Sequence, residues 1–139
     1  MKHFLLYFAL LYTCTTHAQD KASFIVENYY KVKWGFAEEF IKLWQTNHYP
    51  LLKKAIEKGD IISVEAEKPR LHSGEDTRWD FKVTIVFKNA IAAFDDDLTT
   101  PYKKQMFPDL DKLNKDEQHR FELLLAHWDV MPEKLDLSK

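Results

Sequence analysis

The sequence contains little cysteine and little glycine, and both shortages exclude classes of site. Cys14 is its single cysteine, so the chain has no intrachain disulfide and no zinc site built from several thiolates. Three glycines in 139 residues leave no glycine-rich phosphate loop. The motifs of serine hydrolases, zinc proteases, Walker nucleotide-binding proteins and dinucleotide-binding proteins are also missing. The sequence therefore predicts no cofactor and no metal site of these kinds.

Long apolar runs are missing as well, apart from a short one close to Met1. Residues 1–3 include a lysine, residues 4–12 are apolar, and residues 13–18 are mostly small. This order is typical of a secretory signal peptide. The apolar run is shorter than the ~20 residues that a membrane span requires.

The pattern predicts cleavage after Ala18, with residues 1–18 as signal peptide and residues 19–139 as a single domain. We therefore expect an exported protein, either periplasmic or secreted. The alternative is a lipoprotein attached through Cys14, although the residues before this cysteine are larger than those typical of such a site.

The charge is nearly balanced, and this disfavours polyanionic partners. The formal net charge is −2, and loss of Lys2 with the signal peptide would leave 19 basic against 22 acidic side chains. A slightly acidic chain is not expected to bind nucleic acid or, after signal removal, an anionic membrane surface.

Alternating apolar and polar residues predict three strands, at residues 23–34, 60–71 and 78–88. A turn at residues 73–76 joins the last two into an antiparallel hairpin. The second strand is expected to bury Ile62, Val64 and Ala66 on one face. The third strand is expected to bury Trp79, Phe81, Val83, Ile85 and Phe87.

Apolar residues at three- and four-residue steps predict a helix from Phe36 to Ile56 that ends at Gly59. Pro50 lies inside this helix, so we expect a kink there. Asn89 is predicted to cap a second helix that runs to about Thr99. This helix is expected to direct Ile91, Phe94 and Leu98 inward.

The last part of the chain predicts one more helix and one more strand. Asn114 and Glu117 have the spacing of a capping box. The helix that follows is expected to bury Phe121, Leu124 and Leu125, and residues 127–130 read as a final strand. The full order predicts an α+β, ferredoxin-like βαββαβ fold, an antiparallel sheet with helices on one face.

Residues 29–33, leading into residues 35–40, and residues 79–89 resemble the dimeric α/β-barrel superfamily. That superfamily includes NIPSNAP-like, antibiotic-biosynthesis-monooxygenase-like and EthD-like proteins. The resemblance implies a homodimer whose two sheets form a barrel. It also implies a pocket between the sheet and the helices of each chain. No catalytic residue follows from it, because no residue set matches one chemistry of the group.

His48 is the candidate general base or ligand contact, because it shares the predicted buried stripe with Trp44. The alternative is a core histidine bonded to the carbonyl that Pro50 leaves free. Asn28 and Tyr30 interrupt an apolar strand face. They either contact a ligand, or bond to neighbouring strands or to the dimer partner.

The predicted hairpin carries Arg70, His72 and Arg78 near its turn. Arginine suits a carboxylate ligand, so these residues predict an anion-binding mouth. The alternative is that they pair with the acidic residues at positions 75 and 76. Trp44, Trp79 and Trp128 are candidate walls of a pocket.

Two further patterns are expected to carry no metal. His127 and Asp129, with His119 upstream, have an unspecific spacing for a divalent ion. Residues 95–97 are three consecutive aspartates, which diverge on a helix and lack the other positions of a calcium loop.

The leading functional hypothesis is an exported module that binds an apolar or aromatic small molecule between the sheet and the helices. A second hypothesis is a cofactor-independent, oxygenase- or isomerase-like enzyme that uses His48 with Asn28 or Tyr30. A third is a structural or interaction protein with no open pocket.

Overall fold

The computed structural model describes residues 23–71 and 73–138. The predicted signal peptide, Cys14 and His72 lie outside these residues. The strands are β1 (Phe24–Val32), β2 (Ile61–Glu67), β3 (Phe81–Phe87) and β4 (Leu124–Val130). The helices are α1 (Ala37–Leu43), α2 (Tyr49–Lys58), α3 (Ala90–Ala93), α4 (Thr100–Met106) and α5 (Leu110–Glu122), with a π-helical segment, Trp44–His48, between α1 and α2.

The four strands form one antiparallel sheet in the order β2-β3-β1-β4. At the centre of the sheet, Tyr30 lies opposite Phe81 on one side and opposite His127 on the other. This order and direction are those of a ferredoxin-like sheet. The predicted α+β fold is therefore confirmed.

Strict alternation in β3 produces the face on which the helices pack. Phe81, Val83, Ile85 and Phe87 are all buried, and Phe40 of α1 lies 6.1 Å from Phe81 between ring centroids. Because successive strand side chains point to opposite faces, the residues between them face away from the helices. The predicted face of this strand is correct from Phe81 onward.

The segments α1, Trp44–His48 and α2 follow one another without a break. Where the sequence predicted a kink at Pro50, the helix contains a π turn. The N–H of Tyr49 bonds to the Trp44 carbonyl five residues earlier, which widens the helix just before Pro50. Pro50 lies in the first turn of α2, where a missing N–H is tolerated. Gly59 ends α2 in the left-handed region with φ of 79°, as predicted.

The predicted inward face of β2 is wrong at Ile62 and also at Ala66, which is exposed near the end of the strand. A register shift between Ile61 and Ser63 places Ile61 opposite Phe87 in the core. Ile62 is 57% exposed as a result. A bulge adds one residue to a strand and reverses the alternation on one side of it.

The predicted second helix is too long. Asn89 caps it as expected, since its side-chain oxygen accepts the Ala92 N–H at 2.9 Å, but α3 ends at Ala93. Ile91, predicted to face inward, is 84% exposed, and Ala92 is buried instead. Phe94 is also mostly exposed, although its ring contacts Phe24.

The start of α5 differs from the predicted capping box. Asp109 is the N-cap, and its carboxylate accepts the Lys112 N–H at 2.8 Å. Asn114 therefore lies inside the helix. The predicted apolar side is also wrong, because Phe121 is exposed while Leu113 and Arg120 are buried. Leu124 and Leu125, predicted on this helix, lie in β4, and Leu125 is exposed.

One sheet face, here called the outward face, lies opposite the helices. Tyr29 and Trp128 stack there in parallel, with ring centroids 5.4 Å apart. The Lys82 ammonium lies 6.0 Å from the Tyr29 ring and pairs with Glu67. In the described part of the chain, no helix has the length and apolar character needed to cross a membrane.

Candidate functional site

The structure separates the predicted site residues into two groups. Tyr30, Trp44 and His48 belong to a polar group between the sheet and the helices, which we call the interior cluster. Its five members are Tyr30, Trp44, His48, Arg120 and His127.

Arg70 and Trp79 line a surface cleft of about 260 Å³ that contains no residue of the interior cluster. We call this the hairpin cleft. Trp79 was predicted to share the helix-facing side of β3, but its ring lies 6.0 Å from Tyr29 on the outward face. His72 lies outside the described residues.

Tyr30 forms the floor of the interior cluster. Its ring stacks on His127 of β4 with centroids 4.5 Å apart and contacts Phe40 of α1 at 5.2 Å. Burial raises the pKa of the Tyr30 phenol to about 12, and the nearby Arg120 charge opposes this only in part. Tyr30 is therefore a neutral phenol at physiological pH.

Trp44 begins the π segment and presents a buried donor. The residue is 2% exposed, and its indole Nε1 has no hydrogen-bond acceptor. It lies near enough to Tyr30 to affect the phenol's pKa, but the geometry falls short of a hydrogen bond. Its ring contacts Phe81 and His48, at 5.2 and 5.9 Å between centroids.

His48 ends the π segment in a surrounding that disfavours its charged form. Burial lowers its pKa to about 4, and the positive charges of Arg120, Lys103 and His127 add to the effect. In the described part of the chain, the His48 ring forms no hydrogen bond to the carbonyl of Thr46. His48 is therefore a neutral imidazole at physiological pH.

Arg120 enters from α5 as a buried cation. It is 4% exposed, and its Nε has no acceptor. Its guanidinium carbon lies 5.8 Å from the Phe40 ring and 4.8 Å from the Phe121 ring. The acidic residue one turn earlier on α5, Glu117, is engaged by Lys103 of α4 at 3.2 Å. Burial lowers the pKa of the Arg120 guanidinium, and the Glu117 charge opposes this effect without forming an ion pair with Arg120.

His127 and Asp129 form the exposed rim of the cluster. The His127 Nε2 lies 3.2 Å from an Asp129 carboxylate oxygen, along the same side of β4. His119, which the sequence placed beside them, instead contacts Glu39 at 2.7 Å. Within the described residues, no three metal-ligating side chains converge.

Asn28 bonds across the sheet. Its side-chain nitrogen donates to the Val83 carbonyl at 3.2 Å, which is the cross-strand alternative stated for it. It also lies opposite Asp129 in the register of β1 and β4. Asn28 therefore borders the cluster with its donor already used.

Asn47 is a third buried residue with an unpartnered donor, at Nδ2. Its side chain lies beside Asp116 of α5 and helps to lower the pKa of that carboxyl, chiefly set by Lys112. Asn47 therefore belongs to the contact between the π segment and α5.

The arginine of the hairpin turn is fully paired. Arg78 is 4% exposed, and it donates to the Glu75 carboxylate at 2.8 Å and to the Val32 carbonyl at 3.1 Å. A third bond goes to Asp80. Hydrogen bonds from Arg78 and Lys31 lower the pKa of Glu75 to about 2. For Arg78 these contacts correspond to the pairing alternative, and the anion-binding mouth with Arg70 and His72 stays a prediction.

Sequence reasoning missed Arg120, the residue with the least usual surroundings in the cluster. Its signal was its spacing, since Arg120 lies seven residues after the buried Leu113 and three before the buried Leu123. A charged residue on the apolar stripe of an amphipathic helix is rarely buried without a partner.

No family model matches the chain, and the search of curated proteins finds no match. A dimeric ferredoxin-like protein from an uncultured marine organism has a TM-score of 0.56 at 8% identity, over 85% of this chain and 94% of that one. A Pseudomonas aeruginosa protein has a TM-score of 0.50 at 10% identity, over 84% and 98%. A NIPSNAP family protein from Agrobacterium tumefaciens has a TM-score of 0.48 at 12% identity, over 84% and 96%. The predicted resemblance is thus confirmed at the level of the fold.

Proposed function

We propose that the protein binds a small aromatic molecule at the interior cluster. One observation carries this proposal: Trp44 Nε1 and Arg120 Nε are both buried donors without an acceptor, and both residues lie near Tyr30. A ligand oxygen at this position would satisfy them.

The energy of these donors supports a binding role. A buried donor without an acceptor costs about 1–3 kcal/mol, so native proteins rarely leave two of them close together. The rings of Tyr30, Phe40 and Phe81 pack against one another beside these donors and give the cluster aromatic surroundings. The π turn also supports the proposal, because such turns occur frequently at functional sites.

The rim at β4 is the natural entrance. The side chains of His127 and Asp129 are partly exposed there, whereas the other four members of the cluster are buried or nearly so. The His127 ring lies on the Tyr30 ring at this edge, so a ligand that enters here must displace it.

Titration of the isotope-labelled protein with 2-naphthamide, a neutral aromatic amide, tests the proposal. We expect saturable shifts of the Trp44 indole N–H and of the His48 ring resonances. No shift up to about 1 mM, a limit that corresponds to roughly −4 kcal/mol, with either this probe or the corresponding acid, 2-naphthoate, would contradict it. Resonance shifts of residues in the hairpin cleft alone would also contradict binding at the interior cluster.

A matched pair of variants locates the binding energy. Trp44→Phe keeps an aromatic ring but removes the donor, so we expect about threefold to tenfold weaker binding of 2-naphthamide. Trp34→Phe is the control, because Trp34 is exposed and bonds to Glu75 at 3.2 Å. Equal effects of the two substitutions would contradict a role for the Trp44 donor.

A second candidate function is cofactor-independent catalysis at the same site. The observation that favours it is that a neutral His48 and a neutral Tyr30 phenol both lie near Trp44, where one could accept and the other donate a proton. Turnover of an aromatic substrate that His48→Ala abolishes, with binding retained, would support this function over simple binding.

We also propose export and a homodimer. The proposal of export rests on the composition of residues 1–18. The mass of the protein purified from its own host identifies its mature N-terminus and so shows whether these residues have been removed. A homodimer through the outward face is supported by the aromatic pair Tyr29 and Trp128 and by the similar fold of a protein described as dimeric.

A further inference from the structure

We infer that Arg120 is an oxyanion anchor, so that the ligand of the interior cluster is an aromatic acid whose carboxylate contacts the guanidinium. This inference rests on the proposed binding function and narrows it to one chemical class.

The argument begins with the missing counter-ion. A buried guanidinium cannot lose its proton, so it needs an anion or several acceptors. In the described part of the chain, Arg120 forms no ion pair and its Nε has no acceptor. Glu117, the acidic residue one turn away on the same helix, is held by Lys103.

The aromatic contacts of Arg120 only partly compensate for its burial. Cation–π contacts of the kind made with Phe40 and Phe121 contribute about 0.5–2 kcal/mol each. Removing an arginine from water without an anion costs several kcal/mol. The arrangement is therefore suited to a negative group supplied from outside.

The other charged groups around the cluster occur in pairs and leave Arg120 without an ion-pair partner. Lys103 of α4 pairs with Glu117, whose charge also acts on Arg120, so these two residues add no net charge. Asp129, the acidic group at the rim, is paired with His127. Tyr30 and His48 are neutral, so a carboxylate meets attraction from Arg120 and no opposing charge inside.

The geometry of the donors selects a planar acid. The Arg120 Nε and the Trp44 Nε1 both lie among aromatic rings, and a carboxylate presents two oxygens in one plane. An aromatic ring attached to that carboxylate would pack against the Tyr30 and Phe81 rings.

Two isosteric probes test the inference, 2-naphthoate with a carboxylate and 2-naphthamide with a neutral amide. At neutral pH we expect the wild-type protein to bind 2-naphthoate at least about tenfold more tightly, the range of a charge-assisted hydrogen bond. Arg120→Met should reduce this preference to about twofold or less while binding of 2-naphthamide persists.

Arg70→Met is the matched control, because Arg70 is exposed and lines the hairpin cleft. It should leave the preference unchanged. Loss of the preference in this variant, or its survival in Arg120→Met, would overturn the inference.

If Arg120→Met does not fold, the ratio of the wild-type affinities for 2-naphthoate and 2-naphthamide still tests the inference. Equal affinities of the wild-type protein for the two probes would overturn the oxyanion anchor and leave the proposed binding function standing. Failure of both probes to bind would overturn the binding function together with the inference.

Discussion

Arg78 and Arg120 are equally buried, yet their partners differ completely. Arg78 donates to two carboxylates and a backbone carbonyl, and these bonds join the end of β1 to the turn before β3. Arg120 has aromatic neighbours and an unpartnered Nε. Arg78 therefore stabilises the folded state, whereas burial of the unpaired Arg120 lowers the free energy of unfolding.

The same substitution at these two positions should therefore have different effects on stability. Arg78→Met removes the donor to the Val32 carbonyl and leaves the Asp80 carboxylate with the Val32 N–H alone, so we expect a loss of about 2–4 kcal/mol in the free energy of unfolding. Arg120→Met removes an unpaired buried charge and should stay within about 1 kcal/mol of wild type or gain stability.

Urea unfolding of both variants measures the difference, and each variant serves as the control of the other. A loss of several kcal/mol in Arg120→Met would show that Arg120 has an internal partner.

His48 should make the protein less stable in acid. Its folded pKa of about 4 lies below the ordinary value of 6.5, so the folded state binds fewer protons than the unfolded state between these two pH values. Stability therefore falls as the pH drops through this window. The difference between the folded and ordinary pKa of His48 corresponds to a loss of roughly 2–3 kcal/mol in the free energy of unfolding. This figure allows for the partial access of solvent to His48.

Unfolding free energies measured across this pH range test the effect. His48→Gln cannot take up the proton, so its stability should fall less steeply than that of wild type. His119→Gln is the comparison, because His119 is an exposed histidine on α5. An unchanged slope in His48→Gln would show that other groups cause the acid loss.

At the scale of single elements, the N-cap of α5 is Asp109, whereas the sequence pattern had indicated Asn114. Asp109→Ala removes the carboxylate that accepts the Lys112 N–H, so we expect a loss of about 1 kcal/mol. Asn114→Ala should change stability by less than about 0.5 kcal/mol, because Asn114 is exposed within the helix and alanine favours helix. Thermal unfolding of the two variants measures this, and a larger loss for Asn114→Ala would place the cap where the sequence pattern put it.

The elements that the sequence predicts well are those in which local pattern and burial agree. Every second residue of β3 from Phe81 to Phe87 is apolar and buried, so its alternation identifies the core face directly. In the same way, Gly59 ends α2 because it adopts a positive φ that other residues avoid.

The errors arise where side chains compete with the backbone. Residues 95–97 fit a helical pattern, but the Asp95 carboxylate accepts the Asp97 N–H at 3.0 Å and the chain turns instead. At Ile62 a bulge reverses the face, and no single-strand pattern reveals a bulge. Arg120 was missed because a charged residue is ordinarily assigned to solvent.

At the scale of the whole molecule, the helices cover one face of the sheet and leave the outward face with exposed aromatic side chains. Trp128 stacks on Tyr29 there, and Val130 lies beyond it on the same strand face. The face also carries charges of both signs, such as the Lys82–Glu67 pair. Two copies related by a two-fold axis can place such a face against itself.

Sedimentation of the protein tests this assembly. We expect twice the monomer mass for wild type, since a stable interface of this kind removes about 800 Å² from water on each partner. Trp128→Lys adds a charge to the centre of the proposed contact and should shift the protein toward monomer. Ile91→Lys is the control, because Ile91 is 84% exposed on α3 and lies away from the outward face.

Because the interior cluster lies on the helix-facing side of the same sheet, Trp128→Lys should leave binding of 2-naphthamide intact. A wild-type protein that remains monomeric at high concentration would refute the homodimer without affecting the binding proposal.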